Sequence, residues 1–225
     1  MSEAFFSAPV LPSTTLYLVR HGETEYNRQG IMQGGGIDSS LNETGRAQAG
    51  ALARRLASVE VDALYASTLQ RATQTADILA RKHQPLSRTH LRDLEEMDWG
   101  VYEGNPPSEE RDASVRALKS AWDDGQYDRA PEGGESIRAV QRRARRALRH
   151  ILARENGRTA LVVAHGRYLR VLLATLLDAY SLEHMSDLGH SNTCVNRVVW
   201  EDGRARADLL NCTAHLPANE APASA

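Results

Sequence analysis

Two stretches of this chain end an apolar run on a histidine followed by a glycine. LYLVRHG, Leu16 to Gly22, and LVVAHG, Leu161 to Gly166, both read as buried strands that deliver polar side chains to their C-terminal ends. Open α/β sheets carry their chemistry on that edge. Collected there, Arg20, His21, Asn27, Arg71 and His165 form a group of donors with no carboxylate among them. Left empty, such a group is costly, because like charges repel and donors go unpaired. A tetrahedral dianion such as phosphate satisfies it: guanidinium forks match its oxygens, and helix N-termini add backbone N–H groups. A histidine beside two arginines is held neutral, and a neutral imidazole nitrogen is a nucleophile. Phosphoryl transfer onto His21 is the expected reaction, with Arg20, Arg71 and His165 stabilising charge on the equatorial oxygens. The clamp needs no metal, and the sequence has no carboxylate pair or His/Cys cluster at metal-ligand spacing. The leaving alkoxide still needs a proton donor. Glu95 and Glu96 are both candidates, and the physics of these residues does not separate them.

The elements that must position these groups follow from the hydrophobic pattern. A first strand, Thr14 to Arg20, leads into a loop whose glycines Gly34 to Gly36 suit either a flexible turn or close approach to a ligand. Asn42 or Thr44 caps a helix reaching about Ser58, and Val61 to Ser67 is the next strand. Ser67 or Thr68 is expected to cap a helix from Leu69 to Lys82, with Arg71 in its first turns. There it opposes the helix dipole unless an anion sits in front of it. Leu91 to Gly104 reads as a short strand or turn. The polar stretch 105–132, with three prolines and one weak helix around Glu109 to Asp123, reads as a lid over the sheet edge that shows no sign of substrate contacts. Ile137, Val140, Ala144, Leu148 and Ile151 step by three and four along a helix ending near Glu155. Strand Thr159 to Ala164 and a helix through YLRVLLATLL come next. A hairpin, Asn196 to Trp200 and Ala205 to Leu210, turns at Asp202 and Gly203. The sum is an α/β fold of three α/β/α layers, with a mostly parallel central sheet, helices on both faces and an antiparallel edge hairpin. One domain spans 14–212, with disordered segments expected at 1–13 and 213–225.

With 27 basic and 29 acidic residues in 225, the net charge is -2, so nothing global attracts nucleic acid or an anionic membrane. The arginines at 138, 142, 143, 145, 146 and 149 carry no interleaved aromatics and read as a solvated helix face. MSEAFFSAPVLPS does not read as a signal peptide, and no apolar run approaches the roughly 20 residues of a membrane span. Two cysteines, Cys194 and Cys212, fit a reducing, cytoplasmic compartment. A hairpin turning at Asp202 and Gly203 sets Cys194 opposite Asn211 with the thiols on opposite faces, so no bridge is expected.

RHGETEYN at Arg20 to Asn27 resembles the signature of the histidine phosphatase superfamily, which includes the cofactor-dependent phosphoglycerate mutases. STLQRATQTA at Ser67, EEMDWGVYEG at Glu95, GGES at Gly133 and VVAHG at Val162 follow in the family's order. The resemblance implies that His21 becomes the phosphohistidine and that Arg20, Arg71 and His165 bind the phosphoryl group, with Asn27 assisting. It assigns Gln33 and Gly166 to substrate binding. It also selects Glu96 over Glu95, since the family's glutamate stands four residues before the glycine matched by Gly100. No metal or organic cofactor is implied for a phosphatase. Two positions depart from the pattern: Arg167 replaces a second glycine common after the His-Gly pair, and Ser40 replaces a common proline. Arg167 contacts either a second anionic group or an acid of the lid. The expected activity is that of a metal-independent phosphatase acting on a small phosphorylated metabolite. A phosphoglycerate mutase is the runner-up, and a non-catalytic phosphate-recognition or protein-interaction module ranks last. The homodimer is left open.

Overall fold

The computed structural model describes residues 12–83 and 85–217. Six strands build one sheet: β1 (Thr14–Arg20), β2 (Ala63–Ala66), β3 (Ser87–His90), β4 (Thr159–Ala164), β5 (Val195–Glu201) and β6 (Arg204–Cys212). Their order is β3-β2-β4-β1-β5-β6. The pairs β1 with β4, β4 with β2, and β2 with β3 are parallel; β5 and β6 close the other side as an antiparallel hairpin. Period-two alternation splits the strand side chains between two cores. Leu16, Leu18, Tyr65 and Val162 face one, while Val19, Leu64, Leu161 and Val163 face the other.

Helices cover both faces. Beyond the short α1 (Glu25–Arg28), α2 (Glu43–Leu56) and α3 (Gln70–Ala80) pack Leu52, Leu56, Ala76 and Leu79 against one face. On the other, α4 (Glu109–Asp123), α5 (Ile137–Arg154) and α6 (Gly166–Leu176) contribute Leu118, Trp122, Ile137, Val140, Ile151, Leu169 and Leu172. This is the expected three-layer arrangement. None of the described helices is long and apolar enough to cross a membrane.

Several local expectations change. The helix bearing Arg71 is not capped by Ser67 or Thr68: its N-cap is Leu69, and Asp38, from the glycine loop, accepts the Gln70 N–H at 2.6 Å. A carboxylate brought by a neighbouring loop offsets the helix dipole as a local cap would. The polar strand β3 (SRTH) escapes the hydrophobic pattern because it is an exposed edge. The helix expected around Glu109 to Asp123 has those bounds, as α4, but it is not weak: Ser108 caps it and Trp122, fully buried and donating to Arg129 O at 2.8 Å, anchors it. One arginine of the supposedly solvated α5 face, Arg143, is buried. It makes a two-pronged ion pair with Glu135 (3.0 and 2.8 Å) and stacks 5.2 Å from the Tyr168 ring centre.

The hairpin turns at Asp202 (φ 51) and Gly203 (φ 78), both left-handed as a two-residue type I′ turn demands. Two register shifts between Val195 and Val198 then set Cys212 opposite Val195, not Asn211 opposite Cys194. Both cysteines are free. Thr213–Pro217, expected to be disordered, is placed: His215 takes a hydrogen bond from Arg55 at 3.2 Å and contacts Thr193 Oγ1 at 3.0 Å. The disorder expected for 1–11 and 218–225 lies outside the described residues.

Candidate active site

Parallel pairing of β1 with β4 decides where the two histidines go. Arg20 is in register with Ala164, and the His21 N–H continues the ladder to Ala164 O at 3.0 Å. The next residues, His21 and His165, therefore leave the sheet side by side, with ring centres 5.1 Å apart and planes at 57°. The His21 Nδ1 lies 2.7 Å from its neighbour's carbonyl, Gly22 O. Only a protonated Nδ1 can make that bond, so Nε2 carries the free lone pair. Burial first, then the Arg71 and Arg20 charges, hold the His21 imidazole well below the usual histidine range. It is a neutral imidazole with a fixed tautomer, a form able to act as a nucleophile.

His165 is fully buried with neither ring nitrogen partnered, and burial followed by the Arg71 charge lowers it in the same way. Arg20 is held by one donated bond, Nη1 to His190 O at 2.6 Å, leaving Nε without a partner. Arg71 donates Nη1 to Ile37 O (2.7 Å) and Nη2 to Gly34 O (3.1 Å), leaving its Nε free too. Burial lowers Arg71 to about 10, so it stays charged near neutrality. With Arg167 Nη1, these atoms make up five of the eight buried, unpartnered side-chain nitrogens and oxygens among the described residues. Unpaired buried donors are costly, and their concentration around one imidazole marks where a ligand completes them.

The glycine loop turns at Gly35 and Gly36, as one of the two expectations had it, and Gly34 also makes a close approach to the protein itself. A Cβ on Gly34 would fall 1.9 Å from Glu103 Oε1 and 2.6 Å from Met97 O. Glycine lets the loop lie against Glu103 while its carbonyls hold Arg71. Gly166 is a second close approach, where a Cβ would meet the His190 ring at 2.4 Å.

Asn27 and Thr24 form a reciprocal capping box at α1, using the Asn27 Oδ1 and leaving its amide NH₂ without an acceptor among the described residues. Gln33 donates to Thr24 Oγ1 at 2.7 Å and accepts from Ser39. Glu96 is buried at the N-terminus of α6. Its carboxylate accepts the N–H groups of Arg167 (3.1 Å), Tyr168 (2.9 Å) and Met97 (2.9 Å). Glu95 turns away to accept from Thr68. Arg20, His21, Asn27, Gln33, Arg71, Glu96 and Gly166 all line one cleft of about 220 Å³, with His165 behind His21. Every residue predicted for the site is thus brought together.

The cleft also holds groups that sequence reasoning missed. Lys119 of α4 lines it, a contribution from the expected lid that left no sign in the sequence; Trp99, Arg170 and His190 line it as well, beside Arg167, which the sequence had singled out. Arg170 was findable, since it stands one helical turn after Arg167 on the helix that starts at Gly166. Lys119 and His190 had no signal in their spacing. Among the described residues, no three His, Cys, Asp or Glu side chains gather as metal ligands. The cleft's donors are guanidinium, ammonium, imidazole and amide N–H groups around one carboxylate, a set that binds anions.

The family model for the histidine phosphatase superfamily (branch 1) matches residues 16–213. The metal-independent phosphoserine phosphatase of Arabidopsis thaliana is 35% identical over 205 residues, 90% of this chain and 83% of that protein. Fructose-2,6-bisphosphatase TIGAR B of Danio rerio is 35% identical over 168 residues, 72% of this chain but only 63% of that longer relative. The solved structure of Bacillus stearothermophilus YhfR superposes with a TM-score of 0.80 at 34% identity, covering 90% of this chain and 98% of that one. The chain belongs to the histidine phosphatase superfamily, branch 1, and its relatives include phosphatases.

Proposed function

We propose that this protein is a metal-independent phosphatase of small phosphomonoesters that works through a phosphohistidine on His21. The observation that carries the reading is the His21 Nε2 lone pair, fixed by the Gly22 bond and ringed by unpartnered donors of Arg20, Arg71 and His165. A phosphoryl group seated there has its oxygens neutralised by two guanidiniums, which supplies the charge stabilisation a metal would otherwise provide. Nε2 attacks phosphorus in line, the ester P–O bond breaks, and Glu96 gives its proton to the departing alkoxide. The deprotonated Glu96 then takes a proton from water, whose oxygen attacks the phosphohistidine and releases inorganic phosphate. Asn27 and Gln33 orient the bound group. The volume of the cleft, below the roughly 300–1,000 Å³ of drug-sized sites, supports a small substrate. The relatives' named substrate classes, a fructose bisphosphate and phosphoserine, support the same size and type.

Quenching the enzyme with an alkaline denaturant during turnover of p-nitrophenyl phosphate and mapping the acid-labile, base-stable phosphate by mass spectrometry tests the assignment. Phosphate is expected on the His21 peptide and absent, with turnover, in His21→Ala. Unimpaired hydrolysis by His21→Ala would overturn it. The cleft's extra cations, Lys119 among them, also suit a phosphoglycerate mutase. Isomerisation of 3-phosphoglycerate with a bisphosphate primer, faster than phosphate release, would favour that second reading. A recognition module without catalysis would form no phosphoenzyme at all.

A further inference from the structure

Beyond the phosphoryl clamp the same cleft carries a second set of cations. Lys119 comes from α4; Arg167 and Arg170 come from consecutive turns of α6 and so share one helical face. The Arg167 guanidinium lies over the indoles of Trp99 (5.6 Å) and Trp122 (5.4 Å). The two indoles are themselves 5.8 Å apart, so both hold the guanidinium from one side and leave its other side and its N–H edge to find partners. Arg167 is only 7% exposed, yet its Nη1 has none. Arg170 donates Nε to His190 Nδ1 at 2.8 Å. None of the three cations takes part in an ion pair among the described residues. That answers the question raised by Arg167 at the position of a common glycine: it pairs with no acid of the lid.

Such a cluster repels itself. Burial and the neighbouring Arg170 charge push Arg167 down to about 10, and Lys119 is lowered by burial and by Arg167 and Arg170. Catalysis at His21 uses none of these groups, and the phosphoryl clamp already has its own arginines. The arrangement is explained when one molecule brings two anions into the cleft.

We infer that the preferred substrates carry, on a short spacer from the reacting phosphate, a second anionic group that Arg167, Lys119 and Arg170 receive. This deepens the phosphatase reading and rests on it. The second group is a carboxylate or another phosphate, both of which the guanidinium edge and the ammonium accept. An uncharged hydroxyl in its place leaves the cations unpaired.

Matched substrates test the inference. Phosphoserine against phosphoethanolamine isolates a carboxylate, and fructose 1,6-bisphosphate against fructose 6-phosphate isolates a second phosphate. In at least one pair, the doubly anionic member should be favoured by about ten- to hundredfold in kcat/KM, the range of one charge-assisted hydrogen bond. The pair that shows it identifies the group. Lys119→Gln, a half-exposed position, and Arg167→Gln should each shrink that ratio about tenfold or more, chiefly through KM. Ratios near one in both pairs, or equal losses on both members in the variants, would overturn the inference. Hydrolysis of p-nitrophenyl phosphate through phosphorylated His21 separates the two failures. If it proceeds while the ratios are near one, only the second-anion site falls; if it is absent, both readings fall together.

Discussion

Acid should unfold this protein through its site. His21, His165 and His190 are all held well below the ordinary histidine value of 6.5, each chiefly by burial and then by neighbouring arginines. In the unfolded chain they titrate normally. Between the folded and unfolded values the unfolded state binds more protons, so stability rises with pH across that window and is lost as pH falls below about 6.5. Above it the effect is absent. Each group contributes about 1.4 kcal/mol per pH unit inside the window. Moving from about pH 7 to about pH 5.5 crosses one unit of it, so three groups together cost about 4 kcal/mol, a large part of a typical 5–15 kcal/mol stability. Outside the site, His215, lowered to about 4 by burial and Arg55, and His83, lowered by burial, add in the same direction, whereas Asp98 and Glu103, raised by burial, have the opposite sign. Equilibrium urea unfolding in phosphate-free buffer at the two pH values measures it. Saturating inorganic phosphate should flatten the dependence, because a bound anion favours the protonated imidazoles. Equal midpoints and slopes at the two pH values without phosphate would refute the reasoning, since the imidazoles would then not be protected from protonation.

Other outcomes follow from single contacts. Glu96→Gln should slow sugar phosphates by about 10²- to 10⁴-fold but aryl phosphates far less, because only the poor leaving group needs the proton; equal slowing in steady-state assays would remove Glu96 from that role. Gly34→Ala places a methyl against Glu103 and the Met97 carbonyl. It should cost about 1–3 kcal/mol in a melting experiment and lower kcat/KM through the displaced Arg71. Activity in excess EDTA should match the untreated rate, and a loss restored by added divalent metal would contradict the all-nitrogen clamp.

Legibility divided along physical lines. The strands ending in Arg20-His21 and in His165 were readable because alternation and apolar runs are local, and their adjacency followed from a parallel sheet. Arg71 was visible as a cation in the wrong place on a helix. Choosing Glu96 over Glu95 took the family resemblance, since the decision depends on the two turns at Arg92–Leu94 and Gly100–Tyr102, and those leave no period in the sequence. The Asp38 cap, the buried Arg143 and the cleft-lining Lys119 were hidden for one reason. Each is a charged residue whose surroundings are supplied by other segments of the chain, and patterns along the sequence do not register contacts across the fold. The hairpin register failed at two bulges, which have no strong sequence signature.

The loop around Arg71 carries a consequence for binding. Gly34 and Ile37 hold the guanidinium by their carbonyls, while Asp38 one residue later caps the helix from which Arg71 springs. Chain, side chain and helix end form a closed ring. An arginine on an exposed helix forfeits rotamer entropy of up to about 2 kcal/mol when it grips a ligand; this one has surrendered it during folding. In the proposed reaction the arriving phosphoryl group would meet a charge already aimed, so the cost of reorganising the site is charged to the fold and not to each catalytic cycle.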